Sequence, residues 1–175
     1  EKPSPFVKAV VDSISSSSNP DKQVALVNKW VHNNLNYKPD SNTWGALEFW
    51  ATLNEILFQE TFEDDCDGFG VANYVLCRLK GVPADRLLIM AGDVAGGGHC
   101  WAAYKPNNFP TEWCFMDGCY WYDLRMPISR DKYYIHKDII YNIRPIRKDM
   151  KGKYKKIWFA FNEKTSYTQL NNMGK

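Results

Sequence analysis

Apolar positions recur along this chain with two different periods, and the change from one to the other divides it. In the first half, Val24, Val27, Val31 and Leu35 fall at helical spacing beside Leu26 and Trp30. Asn19, Pro20 and Asp21 precede them in the order of an N-cap, a first-turn proline and an early acid. An amphipathic helix is therefore expected to begin there, with the SISSSSNP tract as a flexible connection into it. Trp44, Leu47, Phe49, Trp50, Leu53, Ile56 and Leu57 predict one or two further helices packed on the same core. Another helix is expected after Cys66, running through Phe69, Tyr74, Leu76 and Leu79 and stopping at Gly81, with Pro83 beyond it.

From Arg86 onward the texture changes to short apolar and aromatic runs divided by turn residues. RLLIMAGDV, HCWAAYKP, EWCFMDG, YYIHKDIIYNI and KKIWFAFN read as strands, KPNNFPTE as a hairpin loop, and KDMKGKYKK as a solvated turn before the last strand. Helices followed by strands predict an α+β domain in which N-terminal helices pack on an antiparallel β-sheet. The 175 residues, 45% hydrophobic and 15% aromatic, suffice for one compact domain, read as 1–175.

Charge narrows the classes of partner. Lys and Arg total 22 against 20 Asp and Glu, with the signs mixed, so no strong field directs the chain to nucleic acid or an anionic membrane. No apolar run reaches about 18 residues, so no membrane span is expected. The chain begins at Glu1 with neither a methionine nor a signal-like apolar region, as in a trimmed or mature form.

The cysteines change the picture most. Cys66, Cys77, Cys100, Cys114 and Cys119 form an odd set, so at least one thiol stays free unless it pairs between molecules. A disulfide among Cys77, Cys100, Cys114 and Cys119 is left open beside the simpler reading of small core thiols. Cys66 stands between aspartates where a polar loop turns into a helix. Unpaired N–H groups and the helix dipole favour negative charge there, which suits a nucleophilic thiolate. Such a nucleophile needs a base and an orienter, and the histidines are His32, His99 and His136. His99 opens a predicted strand directly after Gly96, Gly97 and Gly98, whereas His32 lies inside the first predicted helix and His136 late in the chain. On the neighbouring predicted strand Asp117 falls across from His99, where it could accept the imidazole N–H and fix the tautomer. Asp123 is the reserve orienter. Taken singly, a cysteine is usually a buried small hydrophobe and an Asp-Gly pair a turn. Their joint placement points to a triad of Cys66, His99 and Asp117. The Cys66 N–H is the default oxyanion donor, with Trp50 proposed as a second. Trp113, Tyr120, Trp121 and Tyr122 are expected to pack the sheet.

The segments EFWATLNEILFQETFEDDCDGFGVANYVLCRLKGVPADRLLI, GGGHCWAAY and EWCFMDG, within about residues 24–123, resemble the core of the bacterial transglutaminase-like cysteine proteinases, in the papain-like transglutaminase superfamily. The resemblance implies a papain-like core with the nucleophile Cys66 at a helix N-terminus, His99 as base and Asp117 as orienter. It implies a protein substrate and a periplasmic or secreted setting, although such proteins are also encoded by bacterial viruses. It also implies calcium, held by acids matching Asp65 and Asp67. The chain departs from the motif here: the usual glycine before the Asp-Cys pair is Asp64, the usual Glu after the cysteine is Asp67, and the next acid is Gly68. Asp64, Asp65 and Asp67 would oppose a neighbouring thiolate unless a hard cation compensated them; acids that merely cap the helix are the alternative. The expected reaction is proteolysis through a thioester. Cross-linking of protein or cell-wall peptide amines, and a non-catalytic binding or structural module, remain the alternatives.

Overall fold

The computed structural model describes residues 3–107, 112–126, 143–145 and 154–168. The first helix, α1 (Pro5–Ser13), precedes the tract read as the approach to the core. The Ser4 side chain caps it by accepting from Val7 N, and Pro5 opens it. With Val7 buried, the core begins earlier than the longer apolar pattern suggested. The expected helix is α2 (Pro20–Asn34). Asn19 accepts from the N–H groups of Asp21 and Lys22, and Val24, Val27 and Val31 are fully buried.

Two short helices follow, α3 (Asp40–Thr43) and α4 (Leu53–Phe58), the latter closed by a Thr52–Glu55 capping box. The expectation that this whole stretch packs on the core is only partly met. Leu53, Ile56 and Leu57 are buried, but Leu47 is 96% exposed and Phe49 and Trp50 are partly exposed. The chain turns out of α3 at Gly45, in the left-handed region, and runs over the surface until Thr52 caps α4. Two-residue strands β1 (Asn36–Tyr37) and β2 (Glu63–Asp64) pair in parallel, tying the start of this excursion to its end.

Helix α5 (Cys66–Leu79) ends as expected, Gly81 taking a positive φ while its N–H donates to Arg78 O and that of Val82 to Cys77 O. A 3₁₀ turn (Ala84–Arg86) then leads into the sheet. Its strands are β3 (Leu87–Val94), β4 (Gly97–Tyr104), β5 (Cys114–Met116), β6 (Leu124–Met126), β7 (Ile143–Pro145), β8 (Tyr154–Phe161) and β9 (Ser166–Thr168). They lie in the order β7-β6-β5-β4-β3-β8-β9, antiparallel throughout except that β7 runs parallel to β6. The KPNNFPTE stretch joins the antiparallel pair β4 and β5, as a hairpin loop should. Of the YYIHKDIIYNI run, only Ile143 is among the described residues. KDMKGKYKK is not a turn throughout: Tyr154 to Lys156 already belong to β8, which β9 follows.

Alternation along β3 and β4 gives the sheet two faces. Leu87, Ile89, Cys100, Ala102 and Tyr104 join the helices in one apolar core, while Leu88, Met90, Trp101, Ala103 and Phe115 form a second cluster on the opposite face. His99 and Asp117 share the parity of Trp101 and Phe115, so they belong to the second face at the ends of their strands.

Candidate active site

Cys66 is the first residue of α5, Asp65 its N-cap accepting from Asp67 N at 3.2 Å. The half-buried thiol faces β4, where the Cys100 N–H donates to its sulfur. Pairing of β4 with β5 begins at Ala102, so His99 and Cys100 lie on the stretch of β4 beyond that pairing, next to the start of α5. Burial pushes the Cys66 thiol up to about 12. Asp65 adds to this, while the Cys100 N–H opposes it. A helix start alone does not favour the thiolate against an unneutralised acid on each side.

The structure brings His99 and Asp117 together. His99 Nε2 donates to Asp117 Oδ2 at 2.9 Å, both side chains being buried, so Nδ1 is the ring nitrogen left free of the carboxylate. His99 stacks on Trp101 with centroids 5.9 Å apart, and Tyr120 stands 4.8 Å away on another side. Tyr120 is therefore not simply a sheet-packing residue; it is partly exposed against the imidazole. Tyr122 is also partly exposed, beside His32, whereas Trp121 is buried and Trp113 partly buried as expected.

A buried amide ladder holds the turn that carries Asp117. Asn73 on α5 donates to Met116 O and to Asn28 Oδ1, and Asn28 on α2 donates to Trp121 O and Asp123 O. His32 Nδ1 donates to Gly118 O at 2.7 Å. Gly118 permits this closeness, since a Cβ there would lie 2.9 Å from Val31. Asp123, the reserve orienter, accepts from Arg125 Nε at 2.8 Å, and it is Asp117 that meets the ring. The Trp50 indole N–H, suggested for the oxyanion, donates to Glu48. His136 lies outside the described residues. All five cysteines are free thiols, which closes the disulfide question.

The second cluster is acidic. Asp40, Asp64, Asp65 and Asp67 each offer a carboxylate oxygen within 4.8 Å of the others. The β1–β2 ladder brings Asp40, just beyond β1, to Asp64 at the end of β2. Asp64 Oδ1 accepts from Trp44 Nε1 and Asp65 N, and Asp40 Oδ2 accepts from Phe49 N. That leaves Asp40 Oδ1, Asp64 Oδ2 and both oxygens of Asp67 buried without a hydrogen-bond partner. Burial, with the neighbouring carboxylates, pushes Asp64 up to about 6 and Asp67 up to about 9, and raises Asp40 as well. Oxygen-only donors at this spacing, uncompensated and desolvated, fit a hard cation such as calcium. Gly68 is part of the same arrangement: a Cβ there would lie 2.1 Å from Asp64 Oδ2. The Asp64 carboxylate fills the space in front of this glycine.

Sequence reasoning missed Asp40 and Tyr154. Asp40 follows Pro39 at a helix start, an unremarkable context, and only the parallel ladder takes it to Asp64. The Tyr154 hydroxyl donates to Asp117 Oδ2 from β8, and nothing local marks it.

No family profile matches the chain, and no curated protein does. Solved structures do. LapG from Legionella pneumophila in a calcium-bound form is 16% identical and superposes with a TM-score of 0.65 over 97% of this chain and 78% of that one. A second LapG structure gives a TM-score of 0.64 over 93% and 75%, and an EGTA-treated one 0.63 over 93% and 73%, both again at 16% identity. The chain thus has the fold of LapG, a mixed α and β architecture with helices on a largely antiparallel sheet. Among the described residues no helix is long and apolar enough to cross a membrane.

Proposed function

We propose that this chain is a cysteine peptidase domain of the transglutaminase-like type, cutting a protein substrate through a thioester. His99 Nδ1 accepts the Cys66 proton as the sulfur adds to the scissile carbonyl, and returns it to the departing amine. The same nitrogen then draws a proton from water, which attacks the thioester, releases the acid and restores the thiol. Asp117 holds Nε2–H throughout, fixing the tautomer and favouring the imidazolium that forms. The Cys66 N–H, at the positive end of α5, is the donor for the developing oxyanion. The observation that carries this reading is the Nε2 contact to Asp117, which leaves the other ring nitrogen for a thiol held at the adjoining residue of β4.

Asp40, Asp64, Asp65 and Asp67 are proposed as calcium ligands, supported by their mutual closeness and by the partnerless buried oxygens of Asp40, Asp64 and Asp67. Calcium there supplies positive charge beside the nucleophile. A periplasmic or secreted setting is proposed with this reading, supported by the likeness to the bacterial transglutaminase-like proteinases.

The test is incubation of wild type, Cys66→Ala and His99→Ala with candidate surface proteins, with a labelled primary amine present. A new fragment that needs both residues supports the peptidase; amine incorporation without a fragment replaces it with a cross-linking enzyme. Failure of a thiol probe to label Cys66 selectively at mildly acidic pH, with calcium present, leaves a binding module.

A further inference from the structure

We propose that Tyr154 is a positioning residue for the proton-transfer pair: through its hydroxyl it fixes the Asp117 carboxylate that orients His99. The proposal rests on the peptidase reading above. Asp117 has two donors in contact, the His99 ring and the Tyr154 hydroxyl, and both meet the same oxygen, Oδ2, while Oδ1 is buried without a partner. A carboxylate held only by His99 could swing about its Cα–Cβ and Cβ–Cγ bonds and carry the imidazole with it. A second donor, brought from a different strand, holds the same oxygen from another direction and restrains both rotations.

Tyr154 is well built for this. It opens β8, paired to Val94 of β3, and its ring sits in an aromatic box. Trp101 stands edge-on at 4.9 Å, Phe115 at 4.8 Å and Trp121 at 6.0 Å. Trp101 is also the ring on which His99 stacks, so the same indole walls both partners of Asp117. Burial, and then the charge of Asp117, raise the phenol far above its ordinary value, so it remains a proton donor at any working pH. The sheet order shows why local sequence carries no sign of this. Tyr154 reaches Asp117 across the second face of the sheet, with β3 and β4 lying between their strands.

A buried donor to a charged carboxylate is worth more than an ordinary hydrogen bond, and a small rotation of a base is costly to rate. Tyr154→Phe keeps the ring in its box and deletes only the hydroxyl. Its kcat is expected to fall about tenfold with KM unchanged, and alkylation of Cys66 by iodoacetamide to slow by a similar factor. Phe115→Leu is the comparison: it removes a wall of the box but leaves the hydroxyl, so it should lower Tm while keeping kcat within about twofold. A Tyr154→Phe enzyme with wild-type kcat and alkylation rate overturns the proposal, as does a Phe115→Leu enzyme that loses as much activity as Tyr154→Phe. His99→Ala separates the two levels of inference. If it leaves Cys66 alkylation unchanged, the peptidase reading fails; if it slows alkylation and Tyr154→Phe does not, only the role of Tyr154 is lost.

Discussion

Two buried polar clusters meet near Cys66, and their carboxylates are treated in opposite ways. Asp117, 1% exposed, receives an imidazole N–H and a phenol, and a ladder of two asparagines and His32 holds the turn beneath it. Asp64 and Asp67 are as deeply buried, yet three of their four oxygens have no donor, and the nearest charges are other carboxylates. Burying a charge is tolerable when it is paired and costly when it is not. The first cluster thus draws donors from the polypeptide for one oxygen of Asp117 and leaves only Oδ1 without one, while the second finds few donors among its neighbours. The first cluster should respond to mutation and ignore added calcium; the second should respond to both.

Three experiments sharpen this contrast. The largest effect is expected from Asp117→Ala, which strips the acceptor from both donors: kcat should fall about 10²-fold, while the rise in Tm on adding calcium is unchanged. A lost calcium response would mean the clusters are not independent. Next is calcium itself. At about 100 times its dissociation constant a cation bound only by the folded state adds about 2.7 kcal/mol, read as a Tm higher by several degrees. Asp64→Asn combined with Asp67→Asn should abolish that rise and make the metal-free protein more stable than wild type. A metal-free double variant that melts lower would show that these carboxylates are stabilising as they stand.

The smallest effect comes from a carboxylate that is neither deeply buried nor partnerless. Glu163 accepts from Arg78, which holds its carboxyl below the ordinary value, and from Tyr74. Because the folded value is lowered, its contribution is present above the unfolded value, near 4.5, and is lost as pH falls through the folded one. Glu163→Gln should therefore lower Tm slightly at neutral pH and match wild type in acid. A gap that widens in acid would reverse the assigned sign.

How far the sequence foretold this molecule depended on distance along the chain. Helices α2 and α5 were legible because cap, period and stop lie within one local stretch: Asn19 with Pro20, the Val24–Val27–Val31 stripe, and Gly81 at the far end. His99 and Asp117 could be matched because one hairpin joins their strands. The short strands β1, β2, β6 and β9 carry too few residues for a period, and each forms because a partner is there. Helix α1 was passed over because its apolar pattern is brief, although Ser4-Pro5 marked its start. Asp40 and Tyr154 were invisible for a stronger reason: each gains its role through a contact with a segment more than 20 residues away along the chain. Leu47 and Trp50 looked like core from their type alone, and it is the turn at Gly45 that leaves Leu47 in water and Trp50 at the surface.

The space that Gly68 leaves for the Asp64 carboxylate also binds the two positions together in descent. A lineage moving an acid from one to the other must pass through an ancestor that carries both side chains, crowded, or neither, one acid short. Homologues are therefore expected as matched pairs, acid then glycine or glycine then acid, with two acids together the rarest combination.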